Sequence, residues 1–379
     1  MTDAASLTFH VLFVPGAVQD LRIFMPSLVA WGGGCQFRLV SNGCSPAEDE
    51  LLRQLVKLSP RFEFVRLPGR RMWQHGQALT YLHRQETGPQ FAFLDSDIFA
   101  TGDFLGDLYA RSGKVDALFS CPPLWSNDQH MTIPHGFKVA AGNHKQMEDG
   151  FCLGGSYFAI YDNHILADCL AAHSIDLSRY LWKDIPVALR ARLESAGRGM
   201  KVYDTAKLVN ILLNMSGHTC RFLPTRFLHH VGGVSSIALL RRNRLYKLIR
   251  RGIAVLLPRY VRRIAAWAGV YNNWNENWRE NLSPDELRYI DAFVDRRKSA
   301  CAYVYRLLRT LHSGQPQNIV YTSGDADLDA EVRSLEIIIR QLYPVWHACL
   351  EGREPLTAPR LAPTSQGVWP TEDADAVAA

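Results

Sequence analysis

The stretch Phe91–Phe99 constrains the fold of this chain more than any other, because an apolar run ends abruptly in two acidic residues. Phe91-Ala92-Phe93-Leu94 is followed directly by Asp95-Ser96-Asp97. A short apolar run of this kind is typical of a buried strand in a parallel sheet. Ligands of open α/β sheets bind at the carboxyl ends of such strands. Residues two apart on an extended backbone point the same way, so Asp95 and Asp97 are expected to face one crevice.

Two carboxylates that face one crevice repel each other unless a cation accompanies them. Carboxylate oxygens suit Mg²⁺ or Mn²⁺, and such ions usually share their coordination with substrate phosphates. The acidic pair therefore predicts a metal–diphosphate site. The alternative interpretation is an ordinary turn at a strand end, with both acids solvated.

Strands and helices alternate along the chain up to the acidic pair. The predicted strands are Thr8–Val14, Gln36–Ser41, Phe62–Leu67 and Phe91–Leu94, and the predicted helices between them are Ile23–Trp31, Glu48–Leu58 and His75–His83. This rhythm predicts an α/β fold with a doubly wound, mostly parallel sheet. At 379 residues, the chain is long enough for one large α/β domain and an appendage.

The second half of the chain continues less regularly. The predicted elements are a strand at Ala117–Ser120, a long loop at Pro122–Lys145, a strand at Phe151–Tyr161, helices at Phe104–Arg111, Ile165–Ala172, Arg179–Ser195 and Asp204–Met215, a strand at Cys220–Leu223, and long helices at Ser283–Leu311 and Asp327–Leu350. The helix at Arg179–Ser195 is expected to break at Pro186, and Asp204 is expected at the start of its helix.

Cysteine usage and the N-terminus favour a cytoplasmic location. The eight cysteines include no Cys-x-x-Cys pair, which argues against a zinc module and indicates buried, reduced thiols. The N-terminus lacks the basic flank of a signal peptide, and no apolar run is long enough to span a membrane. We expect a soluble protein or one bound peripherally at the inner face of the cytoplasmic membrane.

Two successive parts of the sequence resemble the nucleotide-sugar half of family 2-like GT-A glycosyltransferases. The first is the segment Gly69-Arg70-Arg71-Met72-Trp73-Gln74-His75-Gly76-Gln77-Ala78-Leu79, and the second is the strand with its acidic pair at Phe91–Asp97. The resemblance covers roughly residues 8–236. It implies a GT-A domain at 1–236. The change in composition after this point predicts a basic helical extension at 237–352, and the Pro-, Thr-, Ala- and acid-containing tail at 353–379 is expected to be disordered. The resemblance also implies metal-dependent transfer of a sugar from a nucleotide-diphosphate donor to a hydroxyl of a glycan or lipid-linked glycan, in bacterial surface polysaccharide or lipopolysaccharide synthesis.

The resemblance also implies roles at the metal. Asp97 is expected to bind Mn²⁺ or Mg²⁺ directly, while Asp95 faces the ribose or a metal-bound water. A histidine from a late loop is a second ligand in many such enzymes. In His229-His230-Val231-Gly232-Gly233, His230 is the first choice, because it lies nearer the glycine turn, and His229 is the alternative.

Residues at several strand ends are candidates for the donor site. Pro15-Gly16 breaks the backbone after the first strand, where a ligand could approach. Asn42 stands where the family usually has a uracil-binding aspartate, which leaves the donor base open. The remaining candidates around the diphosphate are Arg71 with its neighbour Arg70, His75 and Ser96. Arg70, Arg71 and His75 are equally compatible with surface positions.

The acceptor side is predicted around Asp149–Tyr161. Gly154-Gly155-Ser156 lets a sugar approach the backbone closely, or alternatively allows a tight strand crossing. An inverting transferase needs a carboxylate base within reach of the acceptor hydroxyl, and Asp149 and Asp204 are the two candidates. Either can instead be a cap or turn residue.

The segment 237–269 carries nine basic residues and no acidic one. Its apolar stripe, from Leu245 to Leu256, is compatible with core packing, with an anionic membrane surface, or with nucleic acid. No interleaved aromatic residues form a base-stacking platform, so a nucleic-acid partner is not expected.

Two further functions compete with glycosyl transfer. A haloacid-dehalogenase-like phosphatase also uses an Asp-x-Asp pair, although there the pair usually ends the first strand of the domain. A non-catalytic, membrane-associated binding protein with a GT-A shell is the second alternative.

Overall fold

The structure is a computed structural model of the 379-residue chain. It describes residues 7–124, 150–235, 237–238, 283–314 and 320–356, and within 285–298 it describes the helical backbone alone.

A seven-stranded sheet forms the centre of the fold, in the order β10-β6-β7-β4-β1-β2-β3. Its strands are β1 Thr8–Phe13, β2 Gln36–Ser41, β3 Phe62–Arg66, β4 Gln90–Asp95, β6 Ala117–Phe119, β7 Phe158–Asp162 and β10 Cys220–Phe222. All neighbours pair in parallel except β7, which is antiparallel to both β4 and β6. The predicted α/β fold class, with a mostly parallel sheet and long C-terminal helices, is confirmed.

Four shorter strands lie outside this sheet. Strands β5 (Ile98–Ala100) and β11 (Leu228–His230) form one antiparallel pair, and β8 (Tyr180–Leu181) and β9 (Val202–Tyr203) form another. None of the four is among the predicted strands. Strands of two or three residues carry little periodicity, and β6 and β10, which are equally short, are recognised in the sequence only as parts of slightly longer predicted segments.

Helices cover both faces of the sheet. They are α1 Val18–Leu21, α2 Met25–Trp31, α3 Pro46–Leu58, α4 His75–His83, α5 Phe104–Ser112, α6 Asn163–His173, α7 Val187–Ser195, α8 Lys207–Met215, α9 Pro284–Ser313 and α10 Ala326–Leu350. One apolar cluster joins α1, α2, α3, α5, α9 and α10 to one face of the sheet. A second joins α4, α6, α7 and α8 to the opposite face. Because β4 is covered on both sides, it reads in the sequence as a continuous apolar run.

The carboxyl end of β1 is fixed to the start of α3 by one glutamate. Ser45 and Glu48 form a reciprocal capping box at the first turn of α3. The Oε1 atom of Glu48 also accepts a hydrogen bond of 2.5 Å from the amide of Gly16, whose φ is 87°. The Pro15-Gly16 turn is therefore held against α3 at the edge where the parallel strands end.

The C-terminal helices share the apolar core of the sheet. Trp346 of α10 is fully buried, with its ring edge-on to Phe24 (5.5 Å between centroids) and in contact with Phe99 of β5 (5.1 Å). Cys301 of α9 donates a hydrogen bond of 2.5 Å to the carbonyl of Gly232. The predicted domain boundary at 236–237 stays a prediction, but α10 packs directly against the element that follows the acidic pair.

The predicted strand at Phe151–Tyr161 is wrong in its first half. Strand β7 begins at Phe158, and Gly154 has a φ of 58°, which is incompatible with a strand. The side chain of Asn214 bonds the amide and the carbonyl of Cys152 at 2.9 and 2.8 Å. Helix α8 therefore supplies the hydrogen bonds that a neighbouring strand supplies elsewhere.

Two predicted helices also begin later than the sequence suggests. The range Arg179–Ser195 contains β8, a 3₁₀ turn at Trp182–Asp184 and then α7, which starts immediately after Pro186. Helix α8 begins at Lys207, preceded by Ala206 in the left-handed conformation (φ 61°). Asp204 is therefore not the cap of α8, and its carboxylate serves other partners.

Several predictions fall outside the described residues. These are Asp149, the loop Pro122–Lys145 beyond Leu124, the basic segment 237–269 beyond Ala238, and the tail beyond residue 356. All eight cysteines lie within the described residues, where all are buried and none forms a disulfide bond.

Candidate metal centre and substrate cleft

Three metal-binding side chains converge at the carboxyl end of β4. Asp95 is the last residue of β4, and Asp97 precedes β5. In the antiparallel pairing of β5 with β11, His230 lies opposite Ile98 and His229 lies opposite Phe99. This register places His230 beside the acidic pair, although Asp97 and Asp95 lie 133 and 135 positions away in the sequence. One ligand atom from each of Asp95, Asp97 and His230 lies within 4.8 Å of the others.

His230 has one nitrogen directed at the acidic pair and one at the backbone. Its Nε2 lies 3.2 Å from Oδ1 of Asp97 and 3.7 Å from Oδ2 of Asp95. Its Nδ1 lies 3.2 Å from the carbonyl oxygen of Cys121. A carbonyl only accepts, so Nδ1 donates in this contact, which leaves Nε2 as the nitrogen that can bind a metal ion. This is the usual orientation of a metal-binding imidazole.

The carbonyl of Cys121 is aimed by an unusual backbone conformation. Cys121 has a φ of 61°, one of three positive values among the non-glycine residues that the structure describes. A positive φ costs energy in a non-glycine residue, and it persists only where the surrounding structure holds the backbone in that conformation. Here the conformation follows β6 and turns the carbonyl toward His230.

Asp97 is held by the glycine turn that follows His230. Its Oδ2 accepts a hydrogen bond of 3.1 Å from the amide of Val234, and its backbone carbonyl accepts one of 3.1 Å from Val231. Gly232 and Gly233 have φ values of 73° and 78°, which allow the chain to wrap around this carboxylate. Asp97 is 2% exposed, whereas about a third of the Asp95 side chain is exposed.

The residues present fit a divalent cation. The Nε2 atom of His230 is buried and, although Oδ1 of Asp97 lies 3.2 Å away, it forms no well-aligned hydrogen bond among the described residues, which is costly unless something binds there. Two carboxylates supply negative charge beside this imidazole. Carboxylate oxygens with one imidazole suit Mn²⁺, and also accept Mg²⁺. Asp97, Asp95 and His230 are thus the residues that would hold the ion.

His229 faces the opposite way and has a structural role. Its ring stacks on Phe99 at 4.9 Å, and Nε2 lies 2.9 Å from the hydroxyl of Thr101. Burial lowers its pKa to about 4, so the ring is neutral at pH 7. Alternation along β11 explains why only one of the two adjacent histidines reaches the acidic pair.

His75 forms the neighbouring wall of the cleft at the first turn of α4. Its Nε2 lies 3.7 Å from Oδ1 of Asp95. Desolvation in the cleft lowers its pKa to about 4, against the opposing charges of Asp204 and Asp97, so its ring is neutral at pH 7. A neutral imidazole at a helix N-terminus can donate to a phosphate oxygen without competing for the metal.

Asp204 lies in the same cleft within a cluster of charged groups. Its Oδ1 accepts hydrogen bonds from Nε and Nη2 of Arg179 (3.3 and 3.2 Å) and from the amide of Thr205 (2.9 Å). Burial favours the protonated form, but Arg179, the Thr205 amide and Lys207 outweigh it, so the pKa of Asp204 lies below its usual value. The carboxylate is therefore ionised at neutral pH.

Lys207 completes this cluster from the first residue of α8. It is 3% exposed, and its Nζ donates a hydrogen bond to the carbonyl of Gly154. Burial lowers its pKa to about 8, although the Asp204 carboxylate opposes this. Lys207 thereby connects the glycine-containing segment to Asp204.

The residues predicted to bind the donor differ in their exposure and in their hydrogen bonds within the protein. Asn42 is buried, and its amide exchanges two hydrogen bonds with the backbone of Trp73 (2.7 and 3.0 Å), so it positions the segment before α4. Arg71 is exposed. Ser96 is 1% exposed, and its hydroxyl has no hydrogen-bond partner among the described residues. Roles of these residues and of Pro15 and Gly16 in donor binding stay predictions.

The glycines of the predicted acceptor wall are required by packing. A Cβ atom on Gly154 would lie 2.5 Å from Nδ2 of Asn210 and 2.8 Å from the ring of Phe119. A Cβ atom on Gly155 would lie 2.5 Å from the ring of Tyr157. This supports the tight-packing interpretation, and acceptor binding by Gly154, Gly155 and Ser156 stays a prediction.

Three contributors to the cleft are absent from the sequence-based candidates: the carbonyl of Cys121, Arg179 and Lys207. A backbone carbonyl leaves no signal in a sequence. Arg179 and Lys207 are 25 and 3 positions from Asp204 and are brought to it by the β8–β9 pairing and the turn before α8.

Comparisons with known proteins give only distant likenesses. No family model and no curated protein matches the sequence. Among solved structures, S. aureus TarS has 14% identity and a TM-score of 0.36, over 88% of this chain and 91% of that one. The mannosyltransferase PcManGT from Pyrobaculum calidifontis, solved with GDP-Man and Mn²⁺, has 12% identity and a TM-score of 0.37, over 92% and 86%. GlyE from Streptococcus pneumoniae has 13% identity and a TM-score of 0.33, over 57% and 45%. At such TM-scores the likeness is too distant to assign an activity to this chain.

The described helices include none with enough length and apolar character to cross a membrane.

Proposed function

We propose that this protein is a metal-dependent glycosyltransferase that moves a sugar from a nucleotide-diphosphate donor to a hydroxyl of a glycan acceptor. The observation that carries the proposal is the convergence of Asp95, Asp97 and His230, in which the buried Nε2 of His230 faces both carboxylates without a well-aligned hydrogen bond among the described residues. This cluster lies at the carboxyl end of β4 in a mostly parallel sheet, where such folds bind their ligands.

The leaving group of the proposed reaction is a nucleoside diphosphate, on which negative charge grows as the glycosidic bond breaks. A bound Mn²⁺ or Mg²⁺ supplies a fixed positive charge that stabilises this group. From the chain itself, His75 can donate a hydrogen bond to a phosphate oxygen, because its ring is neutral and lies 3.7 Å from Asp95.

We propose that the carboxylate of Asp204 accepts the proton of the acceptor hydroxyl. Arg179 and the Thr205 amide hold its Oδ1, which orients the carboxylate. Its lowered pKa keeps it ionised, at the cost of making it a weaker base than one with a pKa near 7. Asp149, the other candidate, lies outside the described residues.

The biological setting remains the one predicted from sequence, namely synthesis of a bacterial surface polysaccharide or lipopolysaccharide. The basic segment 237–269 is proposed to hold the enzyme at an anionic membrane surface. Co-sedimentation with anionic and neutral vesicles tests this, and equal recovery with both contradicts it.

The proposed activity is tested by a thermal-shift screen of nucleoside diphosphates and nucleotide sugars, with and without Mn²⁺. A ligand that binds only the native state raises the melting temperature. We expect a rise that requires both the nucleotide and the metal, and release of the nucleoside diphosphate from one donor. Binding of a nucleotide sugar without release of its nucleoside diphosphate would contradict the proposed enzymatic activity and favour a non-catalytic binding protein. Release of inorganic phosphate instead favours the phosphatase alternative.

A further inference from the structure

A second concave site lies on the outer face of α4, away from the metal centre. It is a groove of about 530 Å³ lined by Arg71, Trp73, Gln77, Thr80, Tyr81, Arg84 and Asp176. Its volume is within the range of about 300–1,000 Å³ that is usual for small-molecule sites. Because Gln77, Tyr81 and Arg84 recur at a spacing of four and three residues, they share one face of α4.

The composition of the groove suits a carbohydrate. The rings of Trp73 and Tyr81 contact edge-on, with centroids 5.2 Å apart, and both residues line the groove. Sugar rings have apolar C–H faces that pack on aromatic rings, and hydroxyl rims that need hydrogen-bonding partners. Gln77 is exposed and supplies an amide. The carboxylate of Asp176 is held in place by the amide of Ser178 and the hydroxyl of Tyr180.

The charge of the groove favours an anionic ligand. Arg71 and Arg84 are exposed at its two ends, and neither forms an ion pair with another described residue. Guanidinium groups bind carboxylate and phosphate oxygens in a fork geometry. Asp176 is the one acidic side chain that lines the groove.

The groove runs from Arg71, a candidate for the donor diphosphate, to Arg84 at the end of α4, so its far part lies away from the donor. Arg84 follows His75 by nine residues along α4, a rise of about 13 Å. A diphosphate held beside Asp95 and His75 does not extend that far down the outside of the helix. Both walls of the groove nevertheless lead to the cleft. One wall is α4, which starts at His75, and the other is the segment from Asp176 to Arg179, which bonds Asp204.

The two walls are fixed to each other. The amide of Leu177 donates a hydrogen bond of 3.0 Å to Oγ1 of Thr80, and a Cβ atom on Gly76 would lie 2.3 Å from the carbonyl oxygen of Leu177. The groove is therefore preformed, which reduces the entropy cost of binding a flexible chain.

We propose that this groove binds the remote units of an anionic glycan, one bearing carboxylate or phosphate groups, while the end of that glycan lies in the metal cleft as the acceptor. This rests on the proposed glycosyltransferase function and narrows its acceptor to a negatively charged chain.

The test uses the full-length protein and three polymers of matched length, namely dextran, carboxymethyl-dextran and dextran phosphate, at physiological salt. Binding is measured by calorimetry. We expect both charged polymers to bind at least about tenfold more tightly than dextran, because paired guanidinium contacts are charge-assisted. The two charged arms distinguish carboxylate from phosphate recognition.

Two variants distinguish specific binding in the groove from general electrostatic attraction of an anionic polymer to a basic protein. Arg84→Gln removes a charge, and Tyr81→Leu removes one aromatic face with the charge unchanged. Each is expected to weaken binding of the charged polymer about tenfold. Arg192→Gln, an exposed arginine on α7, is the matched control and is expected to stay within about twofold. Thermal melting of all variants excludes misfolding as the cause.

Several results overturn the inference. These are equal affinity for charged and neutral dextran, unchanged affinity in both variants, or tighter binding of an oligo-dT strand that is lost in both variants. The thermal-shift screen with nucleoside diphosphates shows whether a negative result concerns this inference or the proposed glycosyltransferase function. If the unmodified protein responds to a nucleoside diphosphate with Mn²⁺ but does not prefer charged dextran, only this inference fails. If it shows no such response, the proposed function fails whatever the polymers do.

Discussion

The imidazole of His230 connects Asp97 to Cys121. Its Nε2 lies 3.2 Å from Oδ1 of Asp97, and its Nδ1 lies 3.2 Å from the Cys121 carbonyl. The adjacent His229 is buried against Phe99 and Thr101 instead. Two consecutive residues thus have opposite roles, one toward the metal and one toward the core.

This division predicts different effects of the two histidine substitutions. His230→Asn is expected to weaken Mn²⁺ binding by at least about tenfold, because even groups that only orient a ligand cost about 10–100-fold in affinity. His229→Asn is expected to leave metal affinity nearly unchanged and to lower the melting temperature, because it removes a buried ring. Calorimetry with Mn²⁺ and thermal melting of both variants check this. The reverse assignment of the two effects would show that His229 is the ligand.

The core packing of Trp346 predicts that the C-terminal helices stabilise the whole fold. Trp346→Ala removes a fully buried ring that contacts Phe24 and Phe99, and we expect a loss of about 3–5 kcal/mol in the free energy of unfolding. Urea denaturation measures this loss. Val187→Ala, at a side chain 72% exposed, is the control with little expected effect. A Trp346→Ala protein as stable as the control would mean that α10 does not pack on the sheet.

Burial of neutral His229 predicts a loss of stability in acid. Its pKa is about 4 in the folded protein and 6.5 when unperturbed, so the unfolded state takes up the proton first as the pH falls. The contribution of neutral His229 to the free energy of unfolding is fully present above pH 6.5 and is lost as the pH falls from 6.5 to 4. It amounts to roughly 3 kcal/mol. In His229→Gln, the free energy of unfolding should therefore fall less steeply across this window. An unchanged slope would contradict the assignment.

The contact between Arg179 and Asp204 predicts a shift in the pH dependence of activity. Arg179 lowers the pKa of Asp204, so Arg179→Gln should raise it. If Asp204 acts in its ionised form, the acidic limb of the rate profile then moves to higher pH. Initial rates of nucleoside diphosphate release across a pH series measure this, with Arg190→Gln on α7 as the control. A limb that stays in place, with activity retained in Asp204→Asn, would remove Asp204 from the mechanism.

Much of this site is predictable from the sequence, for physical reasons that particular residues illustrate. Strand β4 is covered on both faces, so its apolar run marks a parallel strand, and the position of Asp95 at its end follows. The choice of His230 over His229 also follows from its proximity to Gly232-Gly233.

What the sequence does not reveal depends on contacts between distant segments. The β5–β11 register that brings His230 to Asp97 involves two three-residue strands, which have no detectable period. The irregular segment before Phe158 looks like a strand, because its apolar residues are buried, yet Asn210 and Asn214 of α8 satisfy its backbone. Asp204 resembles a helix cap, but pairs with Arg179 because Ala206 turns the chain first.

The most direct test of the metal centre is the binding of Mn²⁺ together with a nucleoside diphosphate to the Asp97→Asn variant, measured by calorimetry. Asp97 is buried beside His230 and is nearly the same size as asparagine, so the fold should persist, as near-ultraviolet circular dichroism can verify. Asp168→Asn, at an exposed aspartate on α6, is the matched control. We predict that Asp97→Asn abolishes metal-dependent nucleotide binding while Asp168→Asn retains it. Unchanged binding in a folded Asp97→Asn protein would contradict the account.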